Sequence, residues 1–220
     1  MELLDAIEAR RSIRGFKSAP IPEEILGRII EAASKSPSYT NTQPWEVAVV
    51  SGKKKEELSS RLYELAKAKA ATNPDLPMPK DWPAELEKRA GEHGARRLKI
   101  LGVAREDDEG RERLRLMNFE FYGAPCAIFL FTDRTLGPWS IYDMGLFSQS
   151  LILAAHSLGL GSCLQASVTN YAVAIREFLG IPETKQLIIC ISIGYTDDEA
   201  KLNAYRSVKL SPDDFVTWYR

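Results

Sequence analysis

Three short apolar runs, far apart in the chain, constrain the fold more than any other feature of the sequence. They are 45–50 (WEVAVV), 127–132 (AIFLFT) and 187–193 (LIICISI). Each is rich in β-branched or aromatic residues, as buried strands are. The helical stretches between them do not give the regular strand–helix alternation of a doubly wound sheet, so the expected class is α+β. At 220 residues, one domain spanning 1–220 is expected.

Apolar residues at helical spacing, and prolines that end such spacing, predict the remaining elements. Helices are expected at 3–11, 25–33, 53–70, after Pro83, around 105–115, and at 172–179. A further helix is expected to open at a capping box formed by Ser140 and Asp143 and to run to about residue 158. The proline-rich stretch between 74 and 83 predicts a surface excursion, and 53–120 as a whole is interpreted as a variable helical insert.

Charge and rare residues exclude several function classes. Lys+Arg 29 against Asp+Glu 30 gives no overall attraction to nucleic acid or to an anionic membrane. The three cysteines are widely spaced among apolar neighbours, which indicates buried thiols in a reducing compartment. Neither histidine has metal-ligand spacing to another ligand. Without a signal-like segment or a run of about 18 apolar residues, a cytoplasmic protein with no membrane partner is expected.

Arginines near the N-terminus suit a phosphate group. Arg10, Arg11, Ser12 and Arg14 place three fixed charges and a hydroxyl within five residues. The alternative is a solvated helix end whose cations complement the helix dipole. Arg206 and Lys209 are candidates for the same anion, or are ordinary surface side chains.

A polar loop and three aromatic residues are further candidates. The loop places hydroxyl and amide groups between two prolines, which suits a polyol chain or a heteroaromatic edge. Its residues Ser38, Asn41 and Gln43 equally suit simple turn chemistry. The candidates for the wall of a substrate pocket are Tyr39, Phe121 and Tyr122, and packing explains each of them at least as well.

Four stretches, taken in chain order, resemble the FMN-dependent nitroreductase family: ARRSIRGF at 9–16, SPSYTNTQPW at 36–45, LGLGSC at 158–163 and GYTDDEAKLNAYRSVK at 194–209. The resemblance implies a nitroreductase-like fold, with a central, mostly antiparallel sheet flanked by helices. It also implies a homodimer whose C-terminal tail wraps the partner and which holds FMN between its subunits. The resemblance is weak across 52–120, the region that shapes the substrate pocket in that family.

The resemblance also implies roles for individual residues. Arg10 and Ser12 correspond to the first FMN contacts, with Arg11 beside them and Arg14 directed at the pyrimidine side; Arg206 and Lys209 would meet the phosphate. The loop that crosses toward the other subunit's flavin corresponds to Pro37, Ser38, Asn41 and Gln43. The segment along the isoalloxazine corresponds to Leu164, Gln165 and Ala166, where a backbone N–H would bond N5. No catalytic side chain is implied.

The function implied is hydride transfer from NADH or NADPH, through FMN, to a nitroaromatic, a quinone or a similar small acceptor in a ping-pong cycle. Dehalogenation of a halotyrosine is a rival within the family, but it goes with a lid bearing Glu, Tyr and Lys, and no tyrosine occurs between Asp81 and Glu120. Three more functions stay open: flavin destruction for cobalamin-ligand synthesis, non-catalytic flavin binding, and phosphate binding by a module without flavin. The sequence names neither the preferred nucleotide nor the acceptor.

Overall fold

A four-stranded antiparallel sheet lies at the centre of the fold. The computed structural model describes residues 2–220. The strands are β1 (Glu46–Ser51), β2 (Cys126–Asp133), β3 (Gly161–Gln165) and β4 (Lys185–Gly194), in the order β1-β2-β4-β3. All three pairs are antiparallel. The three apolar runs are therefore strands as predicted, and the short strand β3 is a fourth, at one edge of the sheet.

Helices cover both faces of the sheet. They are α1 (Leu3–Ala9), α2 (Glu23–Ala33), α3 (Gly52–Lys67), α4 (Ala84–Leu101), α5 (Asp108–Leu116), α6 (Pro138–Ser157) and α7 (Ala172–Leu179). Successive side chains of β2 point to opposite faces. Phe129 joins the apolar cluster with α3 and α7, and Ile128 joins the one with α2 and α6. The sheet buried between helices confirms the expected α+β class.

Helix α6 begins two residues earlier than the sequence pattern predicts. Pro138 takes the first turn after Gly137, a position where its missing N–H costs nothing. The expected capping box at Ser140 and Asp143 is therefore wrong, because both residues lie inside the helix and are buried. The carboxylate of Asp143 instead accepts the backbone N–H of Tyr39, with both oxygens at 3.1 Å. Asp143 thus holds the loop that precedes β1.

The proline-rich stretch is exposed over 77–83, as expected of a surface excursion, but it is fixed to the sheet at one point. The Asp75 side chain is 6% exposed and accepts the Leu187 backbone N–H at 2.7 Å. Asp75 also forms ion pairs with Arg176 and, at 2.7 Å, with Arg134. Because the guanidinium of Arg176 is almost as buried, this carboxylate is its necessary counter-charge.

The C-terminal tail leaves large apolar side chains uncovered. Trp218 is 76% exposed and Tyr219 is 92% exposed, and Phe215 and Val208 are exposed as well. The tail contains only short 3-10 turns after β4. Its need for a second surface stays a prediction. In the part of the chain from residue 2 onward, no helix is long and apolar enough to cross a membrane.

Candidate functional site

A cleft lined by cations joins the two ends of the chain. Its volume is about 480 Å³, and it lies between the segment that follows α1 and the C-terminal tail. Six predicted site residues line it: Arg10, Arg11, Ser12, Arg14, Arg206 and Lys209. Almost 200 residues separate the two groups in sequence. The predicted combination of the N-terminal arginines with Arg206 and Lys209 is therefore present as a surface feature.

The first wall of the cleft is held against the edge strand β3. Ser12 forms a parallel bridge with Ser162, and the Ile13 backbone N–H donates to the Ser162 carbonyl at 2.9 Å. Gly161 allows this approach, because a Cβ there would lie 2.7 Å from Cγ1 of Ile13 and 2.6 Å from Oγ1 of Thr196. Gly161, the second glycine of the LGLGSC stretch, is thus needed for close packing of the arginine segment.

Asn203 ties the two walls together, and no pattern in the sequence indicates it. Its side chain is buried, and its Oδ1 accepts the Arg14 backbone N–H at 2.7 Å. Its Nδ2 donates to the carbonyls of Gly15 and Asp197, both at 2.8 Å. The side chain lies three residues before Arg206. One amide therefore fixes the N-terminal arginines and the tail cation relative to each other.

The cleft has an excess of positive charge, because five cations and one carboxylate, Glu8, line it. Among residues 2–220, none of Arg10, Arg11, Arg14, Arg206 and Lys209 forms an ion pair with a carboxylate. Nε of Arg14 is shielded from solvent and makes no hydrogen bond. A buried donor without an acceptor costs about 1–3 kcal/mol, and more when it is charged. An anionic ligand with several acceptor oxygens would relieve that cost.

Helix α4 of the insert also contributes to this region, which the sequence pattern does not predict. Nδ1 of His93 lies 2.9 Å from the Tyr205 hydroxyl, next to the cleft residue Arg206. Burial lowers the pKa of His93, and the charge of Arg14 lowers it further. Nη2 of Arg97, one turn along the helix, is shielded from solvent and has no hydrogen-bond partner. Nothing in the sequence around His93 or Arg97 distinguishes these two residues from the other polar and charged residues of α4.

The predicted polar loop lies outside the cleft of its own chain. Its residues Pro37, Ser38, Asn41 and Gln43 are not among those that line it. Within the loop, Oγ of Ser38 accepts the Gln43 backbone N–H at 2.9 Å, and Nε2 of Gln43 donates weakly to the Asn41 carbonyl at 3.4 Å. The turn chemistry left open by the sequence is therefore present. A role toward another subunit's flavin stays a prediction.

The 164–166 segment ends β3 at the open edge of the sheet. Leu164 is exposed, whereas Gln165 is buried. Nε2 of Gln165 donates to the Asn118 carbonyl at 2.9 Å, and its Oε1 accepts the Ser192 hydroxyl. The Gln165 side chain is thus occupied inside the protein. What Leu164 and Gln165 offer to a ligand is the outward backbone of an edge strand, and Ala166 begins the 3-10 turn that follows it.

The three aromatic candidates for the substrate wall differ in exposure. Tyr39 is exposed and stacks on Trp139 with ring centroids 5.9 Å apart. Phe121 is fully buried and packs edge-on against Phe129. Tyr122 is buried, and its hydroxyl donates to Oδ1 of Asn118 at 2.8 Å. For Phe121 and Tyr122 these contacts favour the packing role that the sequence left open.

The three cysteines are buried and free, and the described residues form no metal site. Cys126, Cys163 and Cys190 are buried free thiols, as expected. Burial raises the pKa of Cys126 to about 12 and that of Cys163 and Cys190 above the usual value. Between residues 2 and 220 there is no group of three His, Cys, Asp or Glu side chains placed to hold a metal ion.

The fold and the cleft define an α+β protein with a cation-lined cleft between its N-terminal segment and its tail. The model of the nitroreductase family matches residues 7–195. A 4-nitrobenzoate reductase of Pseudomonas putida is 34% identical over 92% of this chain and 89% of that protein. The chain therefore belongs to the nitroreductase family.

Two further comparisons bear on the function. The crystal structure of the FMN-dependent nitroreductase NfnB from Mycobacterium smegmatis in complex with NADPH superposes with a TM-score of 0.94. It is 32% identical and covers 99% of this chain and 97% of its own. Iodotyrosine deiodinase 1 of Rattus norvegicus is 32% identical over 88% of this chain, but over only 62% of that protein.

Proposed function

We propose that the protein is an FMN-dependent oxidoreductase that passes hydride from NADPH or NADH to a nitroaromatic, a quinone or a similar small acceptor. The observation that carries the proposal is the cation-lined cleft, whose arginines have no acidic partner, in a chain of the nitroreductase family. Of the relatives named above, one is a 4-nitrobenzoate reductase and another is an FMN-dependent nitroreductase in complex with NADPH. The same chemistry in this chain would use the same kind of cleft.

The residues of the cleft fit FMN. Guanidinium groups donate paired N–H bonds that match phosphate oxygens, so Arg10 and Arg206 would hold the phosphate, and the ammonium group of Lys209 would add a point charge. Arg14 would face the pyrimidine side of the ring, where its shielded Nε lacks an acceptor. The edge of β3 at 164–166 would lie along the ring. When bound, FMN supplies a carrier that accepts two electrons as hydride and later returns them.

The chain itself would bind, orient and stabilise charge, without a side-chain acid or base. Arg14 places a fixed positive charge in a shielded position, where it is worth more than in water. Burial keeps the pKa of His93 low, so His93 is neutral near pH 7. Burial raises the pKa of Tyr122, whose hydroxyl is already hydrogen-bonded to Asn118. Protons for the acceptor would come from solvent.

A homodimer would complete the site. The exposed apolar side chains of the tail need another surface, and a second copy of the chain would supply it. The loop at 37–43 would then reach the partner's FMN, which is compatible with its position outside the cleft of its own chain. The three buried free cysteines suit the reducing cytoplasm.

Dehalogenation is the second candidate, favoured only by the similarity to the deiodinase. The absence of tyrosine between 81 and 120 disfavours it, because the lid of that activity bears a tyrosine. A turnover assay separates the two activities. The FMN-loaded protein is given NADPH or NADH with 4-nitrobenzoate in one reaction and 3-iodotyrosine in another, without oxygen. We expect nucleotide oxidation and reduction of the nitro group in the first reaction, and no iodide release in the second.

The controls identify the cleft as the place of reaction. Arg14→Gln should lower turnover strongly, while Arg96→Gln, on the exposed side of α4 and paired with Glu92, should leave it unchanged. Release of iodide with no nitro reduction would reverse the assignment. Bound FMN that neither nucleotide can reduce would instead indicate a non-catalytic flavin-binding protein.

A further inference from the structure

Arg97 is a half-buried cation without a counter-charge. It lies on α4, inside the segment whose sequence shows least resemblance to the family. Its Nη2 is shielded from solvent and has no hydrogen-bond partner, and within residues 2–220 it forms no ion pair. Its neighbour Arg96 differs, because it is exposed and pairs with Glu92 at 3.3 Å. Solvation and local pairing therefore explain Arg96 but leave Arg97 unexplained.

Arg97 shares its surroundings with Arg14. The positive charges of both side chains act on Tyr122 and Cys163, where they oppose the rise in pKa that burial causes. Both also lower the pKa of His93. The guanidinium of Arg14 lies 6.0 Å from the centroid of the Tyr122 ring. The charges of Arg14 and Arg97 thus act on the same buried residues, and within residues 2–220 neither side chain forms an ion pair, an arrangement that repulsion and desolvation make costly in the free protein.

The position of α4 relative to the cleft is fixed. The His93–Tyr205 contact joins α4 to the tail, and their rings meet edge-on with centroids 5.1 Å apart. Tyr205 is buried and directly precedes Arg206. Helix α4 therefore contacts a residue that lines the cleft, and Arg97 lies one turn from that contact.

The location indicates which part of a ligand Arg97 would meet. Arg97 does not line the cleft with the phosphate candidates Arg10 and Arg206. The groups that it shares with Arg14 are Tyr122 and Cys163, and Cys163 directly precedes the 164–166 segment proposed for the flavin ring. A fixed cation there suits the ring rather than the phosphate.

We propose that Arg97 is an additional FMN-binding residue of this chain, which faces the same end of the flavin ring as Arg14 and stabilises the negative charge of the reduced ring. The inference rests on the proposed function of the cleft. Two shielded cations bind a ring that has gained charge more tightly than a neutral ring. The insert would then set the reduction potential of the cofactor as well as the shape of the substrate pocket.

The test compares Arg97→Gln, Arg97→Lys and the adjacent Arg96→Gln with the wild-type protein. The measurements are the dissociation constant of oxidised FMN, the midpoint potential of the bound FMN and the melting temperature of the FMN-free protein. We expect Arg97→Gln to weaken the binding of reduced FMN at least about tenfold more than that of oxidised FMN, which lowers the midpoint potential by about 30 mV or more. Arg97→Lys should recover part of the shift, and Arg96→Gln should match the wild type.

The FMN-free protein gives the readout that a structural role would not produce. Because Arg97→Gln removes an unpaired, partly buried charge, its melting temperature without FMN should be equal to or higher than that of the wild type. A wild-type potential in Arg97→Gln would overturn the inference. So would a change confined to the KM for 4-nitrobenzoate, since Arg97 would then bind the acceptor. A wild-type protein that takes up no FMN would refute the proposed function itself.

Discussion

The amide of Asn203 should be worth several kcal/mol to the fold, because Asn203→Ala removes three buried or partly buried hydrogen bonds to the backbone. The Arg14 N–H loses its acceptor, while the carbonyls of Gly15 and Asp197 each lose one donor and keep one backbone N–H. At about 1 kcal/mol for each hydrogen bond, the free energy of unfolding should fall by about 3 kcal/mol. For a chain of this size that corresponds to a melting temperature lower by roughly 6–12 °C.

The same substitution should weaken FMN binding, because Asn203 holds Arg14 in register with Arg206. Urea unfolding and FMN titration are measured at one fixed protein concentration, so that any association of subunits affects all variants equally. The matched control is Asn73→Ala. Oδ1 of Asn73 accepts the Val173 backbone N–H at 3.0 Å, outside the cleft. We expect Asn73→Ala to cost about 1 kcal/mol and to leave FMN affinity unchanged.

Two results would refute this reasoning. Asn203→Ala with wild-type stability would mean that the three bonds are replaced by others or by water. An equal loss of FMN affinity in Asn203→Ala and Asn73→Ala would mean that affinity follows general stability, and that the amide has no specific role in joining the walls of the cleft.

Three further predictions concern the charges. Arg206→Gln should weaken FMN binding about tenfold or more but riboflavin binding little, since only FMN carries a phosphate; equal losses in equilibrium titrations of both flavins would contradict the phosphate assignment. Asp75→Asn leaves Arg176 buried without its counter-charge and should cost about 3–5 kcal/mol in urea unfolding; a loss under about 1 kcal/mol would show that the pair is dispensable. Burial lowers the folded-state pKa of His93, so below about pH 6.5 the unfolded chain binds more protons, and the free energy of unfolding should fall as the pH drops from about 7 to 5. This slope should be smaller in His93→Gln; identical slopes would mean that His93 titrates alike in both states.

The central strands and the clustering of N-terminal cations can be predicted because their signals are local. The AIFLFT run of β2 is apolar at every position except its last, and its burial on both faces follows. Arg10, Arg11 and Arg14 are dense in charge over a few residues, which favours an anion site. Local chemistry is what a single sequence shows well.

What the sequence does not show depends on contacts between distant segments. The Asn203 side chain accepts the Arg14 backbone N–H although 189 positions separate the two residues, and no motif near either residue indicates this contact. Asp75 belongs in sequence to an exposed proline-rich stretch, yet it pairs with Arg176 about 100 positions away. Arg97 is one of several charged residues on an exposed helix. Its partial burial is seen only in the folded chain.

The start of α6 is mispredicted for a different reason. A Ser–Asp pair three residues apart indicates a capping box, although Pro138 already suits the first turn. Asp143 is buried because its carboxylate binds the Tyr39 backbone N–H, which is again a distant contact. Competing local signals cannot be ranked when the partner that decides between them lies elsewhere in the chain.

The most direct test of the account observes the two half-reactions separately in the FMN-loaded protein without oxygen. NADPH or NADH is added first, the oxidised nucleotide is removed, and 4-nitrobenzoate is added last, while the visible flavin spectrum is recorded. The account predicts that the yellow bands bleach with the nucleotide and return with the nitro compound, leaving a reduced nitrogen product. A protein that binds no FMN, or whose flavin spectrum responds to neither nucleotide, would contradict it.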